Sequence, residues 1–133
     1  PGQCPCLEVD KSWQANQYLL CKDIDGGEPP NGYVVPMRNE NELNCGFDFG
    51  AFYITAKQVK EASDYLDSLD DNTLMDMYDF MSMKENRVYP LFGKEDASEA
   101  GVFYEYIYSY FLEIRKYFKR MAEKEYAIIF YVM

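Results

Sequence analysis

The sequence predicts an α+β domain: a mixed sheet of few strands packed against three to four helices, with a long C-terminal helix followed by a buried terminal strand. Three observations carry this. Apolar residues recur at helical spacing from Val59 to Leu69 and again along a helix-length stretch over residues 97–123. Short apolar runs of strand length lie outside those stretches. The last of them, residues 127–132, is continuous rather than alternating, the pattern of a strand buried on both faces, and is therefore expected at the centre of the sheet.

In chain order, the first element opens at Asp10, a residue type suited to an N-cap, with Trp13, Gln17, Leu20 and Cys21 following at helical spacing. Residues 22–32 hold Gly, Pro, Asn and Asp and read as a turn-rich loop. Tyr33-Val34-Val35 is a short strand candidate closed by Pro36, and residues 37–50 read as irregular. Ala51-Phe52-Tyr53-Ile54 is a strand that runs into a capping box, Thr55 at the N-cap and Gln58 three residues on. The helix behind it presents Val59, Ala62, Leu66 and Leu69 on one face. Asp70 to Thr73 ends that helix and caps a shorter one through Leu74, Met77, Tyr78 and Met81. Tyr89 precedes Pro90 and so must leave helical geometry. The long helix carries Phe103, Ile107, Tyr110, Ile114, Phe118 and Met121 as its core stripe, widened by Tyr106, Phe111 and Tyr117.

A chain of 133 residues forms one domain and buries about two-thirds of its unfolded surface. Hydrophobic residues at 48% and aromatic residues at 17% exclude a disordered chain. The net charge of −10 repels phosphate backbones, so nucleic acid is not an expected partner. The same field attracts basic proteins and favours solubility. No apolar run reaches the ~18 residues that would span a bilayer, so no membrane partner is expected. A chain that opens on Pro1 without a signal-peptide plan is expected to have been trimmed. With so much apolar content the four cysteines, Cys4, Cys6, Cys21 and Cys45, need not form staples; reduced thiols and a cytoplasmic location are expected.

The ordered set of motifs resembles the YfbM-like family, small bacterial proteins of unassigned function. Three motifs carry the resemblance: Val9-Asp10-Lys11-Ser12-Trp13 with Tyr18-Leu19-Leu20; Tyr53-Ile54-Thr55-Ala56-Lys57-Gln58-Val59; and Val88-Tyr89-Pro90 ahead of the long helix and apolar terminal strand. The resemblance implies a mixed α/β fold and no particular reaction. It also implies a single YfbM-like domain over residues 1–133; relatives usually open with a further strand and helix ahead of the Trp-containing helix, so either this chain is a fragment or that element is absent. Where relatives often place His in the Trp-containing helix, this chain has Gln14 and Gln17, so no imidazole role carries over.

The chain contains no His, which removes Ser-His and Cys-His nucleophile pairs. Carboxylate, Lys or Tyr chemistry remains open. Cys4 and Cys6, spaced more tightly than structural zinc pairs, are not expected to bind metal. Asp23-Ile24-Asp25-Gly26 fails as a calcium loop because its sixth and twelfth positions hold Glu28 and Val34. No cofactor is expected. Between positions 61 and 83 there are seven acids and no Lys or Arg before Lys84, either a solvated helix face or an acidic patch for a basic partner. On a helical wheel Tyr108 and Leu112 point away from the core stripe, so the long helix is either covered on two sides or bears a contact patch.

These readings lead to a first functional expectation, a non-enzymatic binding protein that uses Asp64, Asp67, Asp71, Tyr108 and Leu112 on an acidic, Tyr-rich surface. One form of it is an immunity-type protein that masks a basic toxin. The alternative is an enzyme or small-ligand binder with a carboxylate- and Tyr-lined pocket, for which Tyr53, Tyr89 and Asp10 are the candidates. Purely structural roles for Trp13, Tyr53 and Tyr89 stand beside both.

Overall fold

Strand β2 (Ala51–Ile54) lies between two antiparallel neighbours, β1 (Glu42–Leu43) and β3 (Ile128–Tyr131). The computed structural model describes residues 6–23, 27–37, 41–43, 51–91, 93 and 95–131. Among the described residues five α-helices accompany the sheet: α1 (Trp13–Cys21), α2 (Ala56–Asp67), α3 (Asp71–Met77), α4 (Phe80–Glu85) and α5 (Ala100–Glu123). The α+β class, the long C-terminal helix and the terminal strand after it are all present. The sheet is antiparallel in every described pairing rather than mixed.

The core forms on one side of the sheet. Ile54 and Ile128 are Cα partners and both belong to the buried apolar cluster, as do Val59, Ala62 and Leu66 of α2 and Ile107, Phe111, Ile114, Phe118 and Met121 of α5. The helices α2 and α5 share the most extensive contact in the fold. All four predicted face residues of the first capped helix, Val59, Ala62, Leu66 and Leu69, are buried. Thr55 closes the predicted box: its hydroxyl accepts from the Gln58 amide at 3.3 Å, and Gln58 Oε1 accepts from the Thr55 amide at 2.9 Å.

Four expectations are corrected. The terminal strand is not central: among the described strands β3 pairs only with β2, and Ile129 and Tyr131 remain 59% and 43% exposed. Apolar and aromatic residues suit any pleated surface, so a run of them does not tell one-sided from two-sided cover. Tyr33-Val34-Val35 is not a strand. A 3₁₀ turn over Asn31–Tyr33 uses the Val34 amide, which donates to the Asn31 carbonyl at 3.3 Å. Gly32 there lies so close to the Gly27 carbonyl that a Cβ would collide with it. Asp10 is not the cap of α1; it sits at φ 52°, and Ser12 holds the N-cap position. Finally, the helix drawn through Leu74 and Met81 is two helices. Tyr78 is extended, and Asp79 starts α4 by accepting from the Ser82 amide at 3.0 Å.

Helix α1 is buried nearly all round, not on one face, and two of its polar side chains bond to backbone groups. Asn16 Nδ2 donates to the Ser12 carbonyl at 3.2 Å, and Gln14 Oε1 accepts from the Tyr89 amide at 2.6 Å. Trp13 packs against Tyr89 and Phe130, with ring centroids 5.8 and 6.4 Å apart.

Candidate binding surface

The seven acids predicted as a patch, Glu61, Asp64, Asp67, Asp70, Asp71, Asp76 and Asp79, are all exposed on or beside α2, α3 and α4. Their local roles differ. Asp64 lies 3.7 Å from Lys60 one turn back, and Asp67 lies 4.0 Å from Lys119 of α5. Both pairs are well exposed, so each contributes little to stability. Asp70 caps α3 by accepting from the Thr73 amide at 2.8 Å. That amide, with the Thr73 side chain after it, holds the Asp70 carboxyl below the usual carboxylate range, so it stays charged in mildly acidic solution. Asp71 accepts from the Tyr108 hydroxyl at 2.7 Å.

Of the five residues expected to bind, the structure thus joins Asp71 to Tyr108 and sets Asp64 and Asp67 on α2 facing lysines. With Lys57, Lys60, Lys119 and Glu123, these two carboxylates line an open groove of about 640 Å³ between α2 and the end of α5. Tyr108 and Leu112 are half-buried and pack against the core cluster. Both are therefore covered on one side and partly open to solvent on the other.

Beside Tyr108 the sequence reading missed a tyrosine cluster. Tyr104 and Tyr108, one turn apart, stack with centroids 5.8 Å apart and planes 17° from parallel; Tyr78 tilts against Tyr104 at 4.9 Å. The Tyr78 hydroxyl donates to the Ala100 carbonyl at 2.8 Å. Burial, and then the neighbouring Tyr104, push its ionisation up to about 12. The Tyr104 hydroxyl is out of solvent and has no hydrogen-bond partner among the described residues. The spacing of Tyr104, Tyr108 and Leu112 on one helix face was the available signal. Tyr78 could not be added to it without knowing that α3 ends there.

The second candidate trio does not converge. Tyr53 projects from the outer face of the sheet, where it is the Cα partner of Ile129. Tyr89 packs on Trp13, which meets Phe130 on the opposite face. Asp10 accepts from the Tyr106 hydroxyl at 2.6 Å, an interaction that lowers the carboxyl and, after burial, raises the phenol. Among the described residues no group of His, Cys, Asp or Glu is arranged to hold a metal. Cys6 and Cys21 are free thiols, and burial pushes the Cys21 thiol up to about 12, away from reactivity. Cys4, Cys45 and residues 24–26 of the failed calcium loop lie outside the described residues.

The sequence profile of a domain of unknown function, DUF1877, matches residues 2–131. The chain belongs to the DUF1877 family. The crystal structure of YfbM from Escherichia coli, a protein of unknown function, superposes on this DUF1877 member with a TM-score of 0.74. The two are 20% identical, and the match covers 92% of this chain and 78% of that one. The YfbM-like resemblance read from the motifs is therefore correct, and at this identity the structural likeness speaks for the fold alone. No curated protein matches the chain. No described helix is long and apolar enough to cross a membrane.

Proposed function

We propose that the protein binds a basic protein partner through the acidic face of α2, α3 and α4 and catalyses no reaction. One observation carries this reading: all seven carboxylates of the face are solvent-exposed, yet Asp70, Asp71 and Asp79 are held in place by hydrogen bonds. Among the described residues only Lys60 and Lys119 form ion pairs with the face. A fixed array of like charges loses little conformational entropy on meeting a cationic surface, and it steers the encounter from a distance. A concrete form is a cytoplasmic, bacterial immunity-type protein that masks the cationic site of a toxin. The lack of His is consistent with a protein that works by contact. The pocket alternative lacks its sequence candidates, because Tyr53 and Tyr89 lie on opposite faces of the sheet.

The test is affinity capture with the full chain and with an Asp64→Asn, Asp67→Asn, Asp76→Asn variant, followed by titration of the purified partner. The expected partner is basic, is released by salt, and binds the variant at least tenfold more weakly. A partner held equally by both proteins would overturn the reading.

A further inference from the structure

This inference rests on the acidic-face reading and gives it a chemistry. We propose that the partly exposed cluster of Tyr78, Tyr104 and Tyr108 with Asp71 is the seat for an arginine side chain of the partner, whose guanidinium lies against the rings and donates to the Asp71 carboxylate.

Aromatic ring faces carry partial negative charge and attract a cation, and a guanidinium can stack flat on a ring while its N–H groups bond in its own plane. An ammonium offers the charge without the flat geometry. The cluster supplies both halves of that recognition. Its rings are half-buried and ordered by mutual contact, and Asp71, which is exposed, fixes Tyr108 with one oxygen and leaves its other oxygen free for a donor. No Lys or Arg among the described residues forms an ion pair with Asp71. The Tyr104 hydroxyl, buried without a partner among the described residues, leaves the polar end of the cluster incompletely bonded by them.

The molecule already sets its own cations over aromatic rings beside both ends of α3, there bonded to backbone carbonyls rather than to a carboxylate. Arg115 lies over the Phe111 ring at 5.4 Å and donates to the Leu69 carbonyl at 3.3 Å. Lys22 lies 5.8 Å from the Tyr18 ring centroid and donates to the Met77 carbonyl. Among the described residues no cation lies over the Tyr104 or Tyr108 ring, although Arg115 is near enough to act on the Tyr108 hydroxyl. The position of this stack beside Asp70, Asp71 and Asp76 gives an incoming arginine a negative field as well.

The experiment titrates hexa-arginine and hexa-lysine peptides, equal in charge, into the full chain at low salt by calorimetry, with Asp71→Asn and Tyr108→Leu as variants. The wild type is expected to bind hexa-arginine about threefold more tightly than hexa-lysine. That ratio should fall to one in each variant, even where Asp71→Asn weakens both peptides. If the two peptides bind alike, or if the preference survives either substitution, the arginine seat is wrong while the acidic-face reading stands. If neither peptide binds, both fall. Should Tyr108→Leu fail to fold, ring-proton shifts decide alongside Asp71→Asn: hexa-arginine should move Tyr104 and Tyr108 but not Tyr53, and shifts spread evenly over all tyrosines would refute the seat.

Discussion

Helix α5 meets its neighbours on two flanks, and the chemistry of the two differs. Toward α2 it presents Ile107, Phe111, Ile114, Phe118 and Met121, all buried, against a helix whose own buried residues are Val59, Ala62, Ser63 and Leu66. Toward α3 it presents Tyr104 and Tyr108, half-buried, stacked and tied to Asp71 by one hydrogen bond. The first flank is held by area removed from water, at roughly 25 cal/mol per Å². The second is held by rings and hydroxyls that stay near solvent, where charge and pH reach them. Stability and responsiveness are thus placed on adjoining faces of one helix.

The sharpest way to break this comparison is to truncate each flank. Leu66→Ala, at a fully buried site, should lower unfolding free energy by about 2–5 kcal/mol in urea titrations. Tyr108→Phe removes only the bond to Asp71 and should shift the urea midpoint far less. A larger loss from Tyr108→Phe would invert the assignment. Next in size, Thr55→Ala removes the α2 cap and should cost about 1 kcal/mol in the same measurement. If it costs nothing, α2 is positioned by packing on α5 alone.

Alkaline titration should show a smaller effect, to which Tyr78 of the tyrosine flank contributes beside Cys21, Tyr65 and Tyr106, all raised chiefly by burial. Unfolded tyrosine ionises at about pH 10, whereas Tyr78 in the fold holds its proton up to about 12. The folded state therefore binds more protons in that interval. The contribution is complete below pH 10 and is lost as pH rises toward 12. Thermal midpoints should decline over that window, and Tyr78→Phe should flatten the decline; an unchanged slope would remove Tyr78 as a source of it. On the acid side the signs reverse. The Asp10, Asp70 and Asp96 carboxyls are lowered by the Tyr106 hydroxyl, the Thr73 amide and the Ser98 side chain respectively. Their contributions are present above the ordinary value of 3.8 and are lost as pH falls through the lowered ones. Smallest of all, Asp67→Asn should change stability by no more than about 0.5 kcal/mol, since its pair with Lys119 is 4.0 Å long and open to water. A larger loss would mean that the groove between α2 and α5 is not a surface feature.

Much of the architecture was legible because its signals are local. The Thr55–Gln58 box, the Asp70 cap, the buried face of α2 and the extent of α5 each depend on residues three or four positions apart. The errors fell where a local pattern admits two tertiary outcomes. Val34 and Val35 are buried in a bend rather than a strand because Gly32 lets two backbone segments approach. Asp10 has the chemistry of a cap, but its carboxylate is claimed by Tyr106 of α5, 96 positions away. The acidic patch itself was visible as composition, whereas Tyr78 and Tyr104 entered it only once α3, α4 and α5 were docked.

By itself, then, the sequence determined the family, the capped helices, the absence of imidazole and the sign of the surface, because each is written in residue type or in short spacing. Tertiary structure alone decided that β3 lies at the edge of the described sheet, that Tyr53 and Tyr89 face opposite ways, and that Asp71 meets Tyr108. The physical reason is that burial and hydrogen bonding depend on which elements pack together. An exposed Ile129 and a buried Ile128 are the same residue type one position apart, distinguished only by the side of the sheet that the helices cover.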